Sequence, residues 1–283
     1  MIFKSLPIIL SLPLVTMSFS PGKNVINKSK YTTIVPGLFN GDINTSYSDS
    51  ANPQIPVVDT GNYYTSAVEA LPPVVRLDMP VPGDQGKQPS CGTWATVYGA
   101  GSYYTHLITG KPYSDSENLS PAFIFNQLPK NRYGITALID NFKLFKTEGA
   151  CSLKSMPYNA DDYSIQPDSA QRLDAANYKI KGCEKIDPHN LILLKRAIFE
   201  KKPVIFSITT DEGFDKITPP FTWKDRCGRM GEIHSMVISG YDDNRNAFLV
   251  MNSWGTSWGD KGFIWIDYQF FLKNASMEGY ILI

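Results

Sequence analysis

The chain reads as an α+β protein of two lobes, and three observations predict it. Helical spacing of apolar residues is confined to the part before about residue 200. After Pro203 the pattern changes to short apolar runs broken by turns, the mark of antiparallel strands. Its 283 residues are enough for one large domain or two modest lobes with real cores. Helices first and strands second, rather than alternating, argue for α+β architecture.

The first element is a short one. Lys4 precedes an apolar run from Leu6 to Met17, interrupted by Ser11 and two prolines. Ser18-Phe19-Ser20 places small residues where a signal peptidase reads, so residues 1–20 are expected to be a secretory signal, with a buried strand or helix as the alternative. No later run reaches the ~18 apolar residues of a membrane-spanning helix, so no span is expected once the signal is removed. Residues 21–73 are polar and irregular, an extended leader or short pro-segment. Order is expected from about residue 74 to 283.

Pro80 to Pro89 is a loop rich in Pro, Gly and Gln. A helix then opens at Cys91. Trp94, Ala95, Tyr98 and Ser102 share a face, Gly99, Ala100 and Gly101 suit close packing, and Gly110 with Pro112 stops the helix. A second helix is predicted over 135–147, with Ile135, Leu138, Ile139, Phe142 and Phe145 as its apolar stripe and Gly149 as its stop. A third is predicted from an Asp187 cap with Pro188 at the first turn; Leu191, Leu194, Ala197 and Ile198 form its apolar face. Strands are predicted at 204–208, 235–241, 247–252, 262–268 and 279–283, with a turn at Asp242-Asp243-Asn244. A cleft between two lobes is a favoured place for a ligand.

Composition narrows the function. Lys plus Arg equals Asp plus Glu at 27 each, which gives no electrostatic reason to expect nucleic acid or an anionic membrane as partner. Apolar residues make up 42% and charged residues 19%, as in an ordinary globular chain. No Cys/His cluster has zinc-ligand spacing, and neither metal nor organic cofactor is expected. Four cysteines are present: Cys91, Cys151, Cys183 and Cys227. If one is a catalytic thiol, the other three allow at most one intramolecular disulfide, so the fold must rest on its core.

Cys91 carries the first chemical signal. A helix N-terminus presents unpaired amides and a positive partial charge, which favour a thiolate. Taken alone, a cysteine there reads rather as a buried structural one. The longer pattern decides otherwise. Asp84-Gln85-Gly86-Lys87-Gln88-Pro89-Ser90-Cys91 resembles the active-site loop of papain-like cysteine peptidases, with a glutamine six residues before the nucleophile. His234-Ser235-Met236-Val237-Ile238-Ser239-Gly240-Tyr241 resembles the family's histidine strand, and Asn252-Ser253-Trp254-Gly255-Thr256-Ser257-Trp258-Gly259 its asparagine motif. Leu119-Ser120-Pro121 and Met156-Pro157-Tyr158 are weaker echoes between them.

The resemblance covers roughly residues 73–283 and implies a papain-like fold, a helical lobe and a β-sheet or barrel lobe with the site in the cleft. It implies roles as well. Cys91 is the nucleophile, His234 its base and later the proton donor, and Asn252 the group that orients the imidazole. Gln85 donates to the oxyanion with the Cys91 backbone N–H. Trp254 covers the His–Asn hydrogen bond, and Gly134 lies on an edge that pairs with substrate backbone. The implied partner is a protein or peptide substrate, and the implied place is secreted or periplasmic. An amidase or acyltransferase on a peptide-like bond, and a silent binding protein of the same fold, are the rivals.

The departures from the family pattern are local. Where the family has Cys-Gly-Ser-Cys-Trp, this chain has Gln88-Pro89-Ser90-Cys91-Gly92. The disulfide partner is missing at 88, and Trp94 is expected to fill the space of the absent tryptophan. Cys227 lacks its family partner, and Cys151 and Cys183 both lie in the region joining the lobes, so these two are the expected pair.

Overall fold

The computed structural model describes residues 70–283. The expected signal, residues 1–20, and all but the last residues of the expected leader, 21–73, lie outside the described residues.

The strands form one open sheet in the order β2-β8-β3-β5-β6-β7-β4, with β1 pairing separately with β5. These are β1 (Val74–Arg76), β2 (Cys183–Ile186), β3 (Val204–Asp211), β4 (Thr222–Trp223), β5 (Met230–Asp242), β6 (Ala247–Met251), β7 (Phe263–Asp267) and β8 (Ala275–Leu282). Every pairing is antiparallel except β4 with β7. The sheet is thus an open one and not a closed barrel. Five of these strands were legible as apolar runs. β1, β2 and β4 were not, because each has only two to four residues and draws its stability from the neighbour it pairs with. The β5–β6 turn closes as expected, Asn244 N–H donating to Asp242 Oδ1 at 2.9 Å.

The first helix, α1, spans residues 91–109. It starts as an α-helical turn at Cys91–Thr93, widens into a π-helix over Trp94–Gly101 and returns to α over Ser102–Thr109. All eight residues of the π segment are buried. Over this segment the helix is buried on every side and not on one apolar face alone, while Leu107 to Thr109 at its end are exposed. Its glycines permit this. A Cβ on Gly99 would lie 3.0 Å from Val237, and one on Gly101 would lie 2.9 Å from Phe145. Gly110 ends α1 in the left-handed conformation at φ 68°.

The other helices are α2 (Pro121–Phe125), α3 (Leu138–Thr147), α4 (Ser169–Ala175), α5 (Leu191–Phe199), α6 (Glu212–Asp215) and α7 (Tyr268–Asn274). α3 begins three residues later than its apolar pattern suggests, since residues 135–137 are outside the helix and Ala137 is extended. α5 is capped by Asn190, whose side chain accepts from Leu193 N–H, and not by Asp187. Asp187 instead closes an Asx turn by accepting from His189 N–H at 2.9 Å.

Two clusters of buried apolar residues correspond to the two lobes. One joins α1, α2 and α3 to Ile205 and Val237 on the sheet. The other fills the sheet's far side under α5 and α7, around Phe206, Tyr241, Phe248 and Phe271. Burial of this many large side chains, at about 1.5–3 kcal/mol each, is what holds the lobes together. No disulfide contributes. All four cysteines are free, Cys151 and Cys183 buried in the helical-lobe core. The expected Cys151–Cys183 pair is thus not formed: burial pushes their thiols up to about 12 and about 11, as for inert apolar fillers.

Candidate active site

The site assembles where the N-terminus of α1 meets β5. Cys91 is half-buried at the first helical position, and Ser90 before it offers no side-chain cap. Ser90 Oγ is engaged elsewhere, bonded to Tyr158 Oη at 2.7 Å. Thr93 and Trp94 N–H donate to Ser90 O at 2.9 and 3.0 Å, and the Gly92 backbone bonds the sulfur.

His234 stands on β5 opposite Ile208 of β3 and is buried. Asn252 follows the last residue of β6, held by its own N–H donating to Gly262 O at 3.0 Å. Antiparallel pairing of β5 with β6 sets Val237 against Met251. That register brings two residues 18 positions apart within hydrogen-bond reach, His234 Nε2 to Asn252 Oδ1 at 2.7 Å. Asn252 Oδ1 also accepts from Ser253 N–H at 2.8 Å. A backbone donor fixes this atom as the oxygen, so His234 Nε2 must carry the hydrogen. Nδ1 is then the ring nitrogen left for Cys91.

The electrostatics follow from this contact. Burial opposes charge on the Cys91 thiol, yet the hydrogen bond and positive charge of His234 outweigh it and hold the thiol below its ordinary value. Burial likewise opposes charge on His234, and the bond to Cys91, its charge, and the bond to Asn252 outweigh it and raise the imidazole above its usual range. A lowered thiol beside a raised imidazole favours the thiolate–imidazolium pair over the neutral one.

Gln85 is buried on the loop leading to Cys91. That loop is zipped to the asparagine motif by Gln85 N–H to Ser253 O at 2.8 Å and Gly255 N–H to Gly83 O at 2.9 Å. The Gln85 amide is set by two bonds, Oε1 accepting from Ser253 Oγ at 2.7 Å and Nε2 donating to Gln88 O at 2.8 Å. One Nε2 hydrogen remains uncommitted. Ser253 is a site residue that sequence reasoning passed over, although it stands inside the quoted motif. Tyr158 is another. Its hydroxyl bonds Ser90 and Gln85 O, bracing the loop from behind.

Trp254 is half-buried with its ring 4.9 Å from that of His234. Phe214 and Trp258 close the same aromatic wall, each ring within 5.4 Å of Trp254. Gly134 lies at the rim in the left-handed conformation, φ 79°, where a Cβ would meet Pro89 at 3.0 Å. Its N–H donates to Asn131 O at 2.9 Å, inside its own turn. The space beside Gly92 is filled by Leu138 and Asn141, not by Trp94, which packs on Tyr98 and Tyr158. The remaining histidines are elsewhere. His106 bonds Lys111 O and His189 bonds Leu272 O. Among the described residues no group of three His, Cys, Asp or Glu could hold a metal ion, and no helix is long and apolar enough to cross a membrane.

A sequence profile described as "Papain family cysteine protease" matches residues 133–278, more than half of the 283-residue chain. Cysteine proteinase 2 of Zea mays is 28% identical over 191 residues, 64% of this chain and 50% of the relative. Thiol protease aleurain of Arabidopsis thaliana is 27% identical over 195 residues, with 64% and 50% covered. The chain thus spans about half the length of these curated relatives. Among solved structures, xylellain, a cysteine protease from Xylella fastidiosa, superposes with TM-score 0.65 at 23% identity over 75% of this chain and 86% of that one. Digestive procathepsin L2 from the larval midgut of Tenebrio molitor does so with TM-score 0.63 at 18% identity over 81% and 73%. The profile match and the shared fold agree, and the chain belongs to the papain family of cysteine proteases.

Proposed function

We propose that this chain is a cysteine peptidase that hydrolyses peptide bonds in proteins or peptides through Cys91, His234 and Asn252. The observation that carries the reading is the run of contacts from Cys91 to His234 to Asn252, with the thiol lowered and the imidazole raised.

In this reading Cys91 Sγ, as thiolate, attacks the carbonyl carbon of the scissile bond. The free hydrogen on Gln85 Nε2 and the Cys91 backbone N–H receive the developing oxyanion; one such donor is worth ~3 kcal/mol in the transition state. His234 Nδ1–H gives its proton to the leaving nitrogen, the C–N bond breaks and a thioester remains on Cys91. Water then attacks the thioester carbon while His234 accepts its proton, and the acid leaves with the thiolate restored. Asn252 holds the ring so that Nδ1 faces the sulfur throughout. Trp254 keeps water from the His–Asn bond, and the Gly134 carbonyl offers substrate backbone an acceptor. Residues 1–20 would direct export, with 21–73 as leader and 74–283 as the peptidase domain.

The test compares wild type with Cys91→Ala on a panel of protein, peptide and non-peptide amide substrates, alongside an active-site-directed thiol alkylator. Cys91-dependent cleavage of peptides, with stoichiometric alkylation of Cys91, is expected. Cleavage confined to non-peptide amides would move the assignment to an amidase. Alkylation without turnover of any amide would leave a binding protein, and turnover by Cys91→Ala near the wild-type rate would remove the nucleophile.

A further inference from the structure

Gly134 belongs to a turn, residues 131–136, that stands outside every helix and strand. Its hydrogen bonds close on themselves. Tyr133 and Ile135 N–H donate to Asn131 Oδ1, Gly134 N–H donates to Asn131 O, and Asn131 N–H donates to Ile135 O, all at 2.9–3.1 Å. These bonds hold the turn together and do not fix it against the nucleophile. No disulfide does so either, since all four cysteines are free.

One buried side chain ties the turn to the start of α1. Asn141 lies in the first turn of α3, its N–H donating to Ala137 O at 3.2 Å, and it is wholly buried. Both ends of its amide are used. Oδ1 accepts from Thr93 Oγ1 at 2.9 Å. Nδ2 donates to Thr136 Oγ1 at 3.3 Å, and that hydroxyl lies 3.4 Å from Oδ1 as well. Thr93 is two residues after Cys91, Thr136 is two residues after Gly134, and both are buried. Gly92 permits this approach of α3 to α1. A Cβ there would fall 3.1 Å from Leu138 Cδ2 and 3.5 Å from Asn141 Nδ2. A filler of this space needs no polar atoms, since apolar groups of the same shape pack there at little or no cost. A satisfied buried network instead holds its members in one arrangement.

We propose that Asn141 is a positioning residue of the peptidase site, fixing the separation between the Gly134 edge and the Cys91 nucleophile. A substrate backbone held at the edge then presents its carbonyl carbon to the sulfur. Attack needs a separation of about 3–3.5 Å with aligned orbitals, and a misplacement of about 1 Å can cost roughly 100-fold. The network reaches both ends of that separation, Thr93 beside the nucleophile and Thr136 beside the edge. It acts on where the substrate lies and leaves the charge state of Cys91 to His234.

This inference rests on the peptidase reading, and the experiment separates the two. Wild type is compared with Thr136→Val, Thr136→Ser and the threefold variant Thr93→Val/Asn141→Leu/Thr136→Val. The threefold variant removes every polar partner at nearly constant shape, so it stays folded where a single change leaves an amide unpaired. Two quantities are read: kcat/KM on a quenched fluorescent peptide, and the rate of Cys91 alkylation by iodoacetamide against pH. Iodoacetamide reaches the sulfur without using the edge. Thr136→Val and the threefold variant are expected to lower kcat/KM by roughly tenfold or more, with the alkylation profile superimposable on that of wild type. Thr136→Ser keeps the hydroxyl and is expected to restore most of the loss. Unchanged kcat/KM in the threefold variant would overturn the role of Asn141. So would alkylation that falls in step with turnover, since that marks a merely structural role; either result leaves the peptidase reading intact. A wild type without Cys91-dependent cleavage of the peptide would overturn both.

Discussion

Ser253 Oγ donates to Gln85 Oε1 at 2.7 Å across 168 residues of chain. The bond ties the loop that precedes Cys91 to the Asn252–Gly259 segment, whose Asn252 bonds His234. It also decides which end of the Gln85 amide points where. With Oε1 occupied by a hydroxyl donor, Nε2 is the atom left to face a substrate oxygen.

This makes Ser253 a positioning residue with a measurable signature. On the proposed mechanism, Gln85→Ala removes one oxyanion donor and is expected to lower kcat by roughly 100-fold or more. Ser253→Ala removes only the hydrogen bond that orients the amide and is expected to cost up to about tenfold. In the double variant the serine change should add almost nothing to the glutamine change. Additive losses would show that Ser253 acts on some other group.

The coupling of Cys91 with His234 sets a pH signature. The lowered thiol and raised imidazole both favour the ion pair over the neutral pair. Alkylation of Cys91 should therefore stay fast at mildly acidic pH, where an ordinary thiol of pKa ~8.5 is almost wholly protonated. His234→Ala removes both contributions of His234 and leaves burial, which opposes the thiolate, against only the smaller backbone bonds of Ser235 and Gly92. Its alkylation profile should move to higher pH. The rate of Cys91 alkylation against pH, read by mass spectrometry for both proteins, measures the shift, and superimposable profiles would mean the two residues are uncoupled.

Removal of the orienting amide should be milder than removal of the base. In Asn252→Ala the imidazole loses its 2.7 Å acceptor but keeps the sulfur as partner. Turnover should fall, and by less than in His234→Ala. A larger fall than in His234→Ala would contradict an orienting role.

Two glycines with similar backbones should differ in stability effect. Gly110 and Gly149 both lie in the left-handed region, at φ 68° and φ 85°. A Cβ on Gly110 meets nothing within 4 Å, whereas one on Gly149 would fall 1.9 Å from Ala175 O. Gly110→Ala is expected to cost about 1 kcal/mol, the strain of a left-handed alanine. Gly149→Ala adds a clash with rigid backbone and is expected to cost about 3 kcal/mol or more. Urea unfolding of the two variants measures the difference.

The segregation of helices from strands was legible in the sequence because apolar periodicity reports burial directly, and it was clearest where a whole face is buried, as in α3 and β3. The positions of Cys91 at a helix start and of Asn252 at a strand end were legible for the same reason. The pattern also grouped Cys91, His234, Asn252 and Gln85, but only through likeness to a family. Nothing in composition or periodicity relates residues so far apart. Tertiary structure alone decided the rest. The β5–β6 register set His234 against Asn252, and the pairing of the 83–85 loop with the 253–255 loop brought Ser253 to Gln85. Burial and charge at the α1 terminus settled the direction of both pKa shifts. The π-helical turn of α1 and the three short strands left no periodic trace, because each exists through contacts made from outside its own segment. Local pattern records what a residue hides from water, and it does not record which distant residue it meets there.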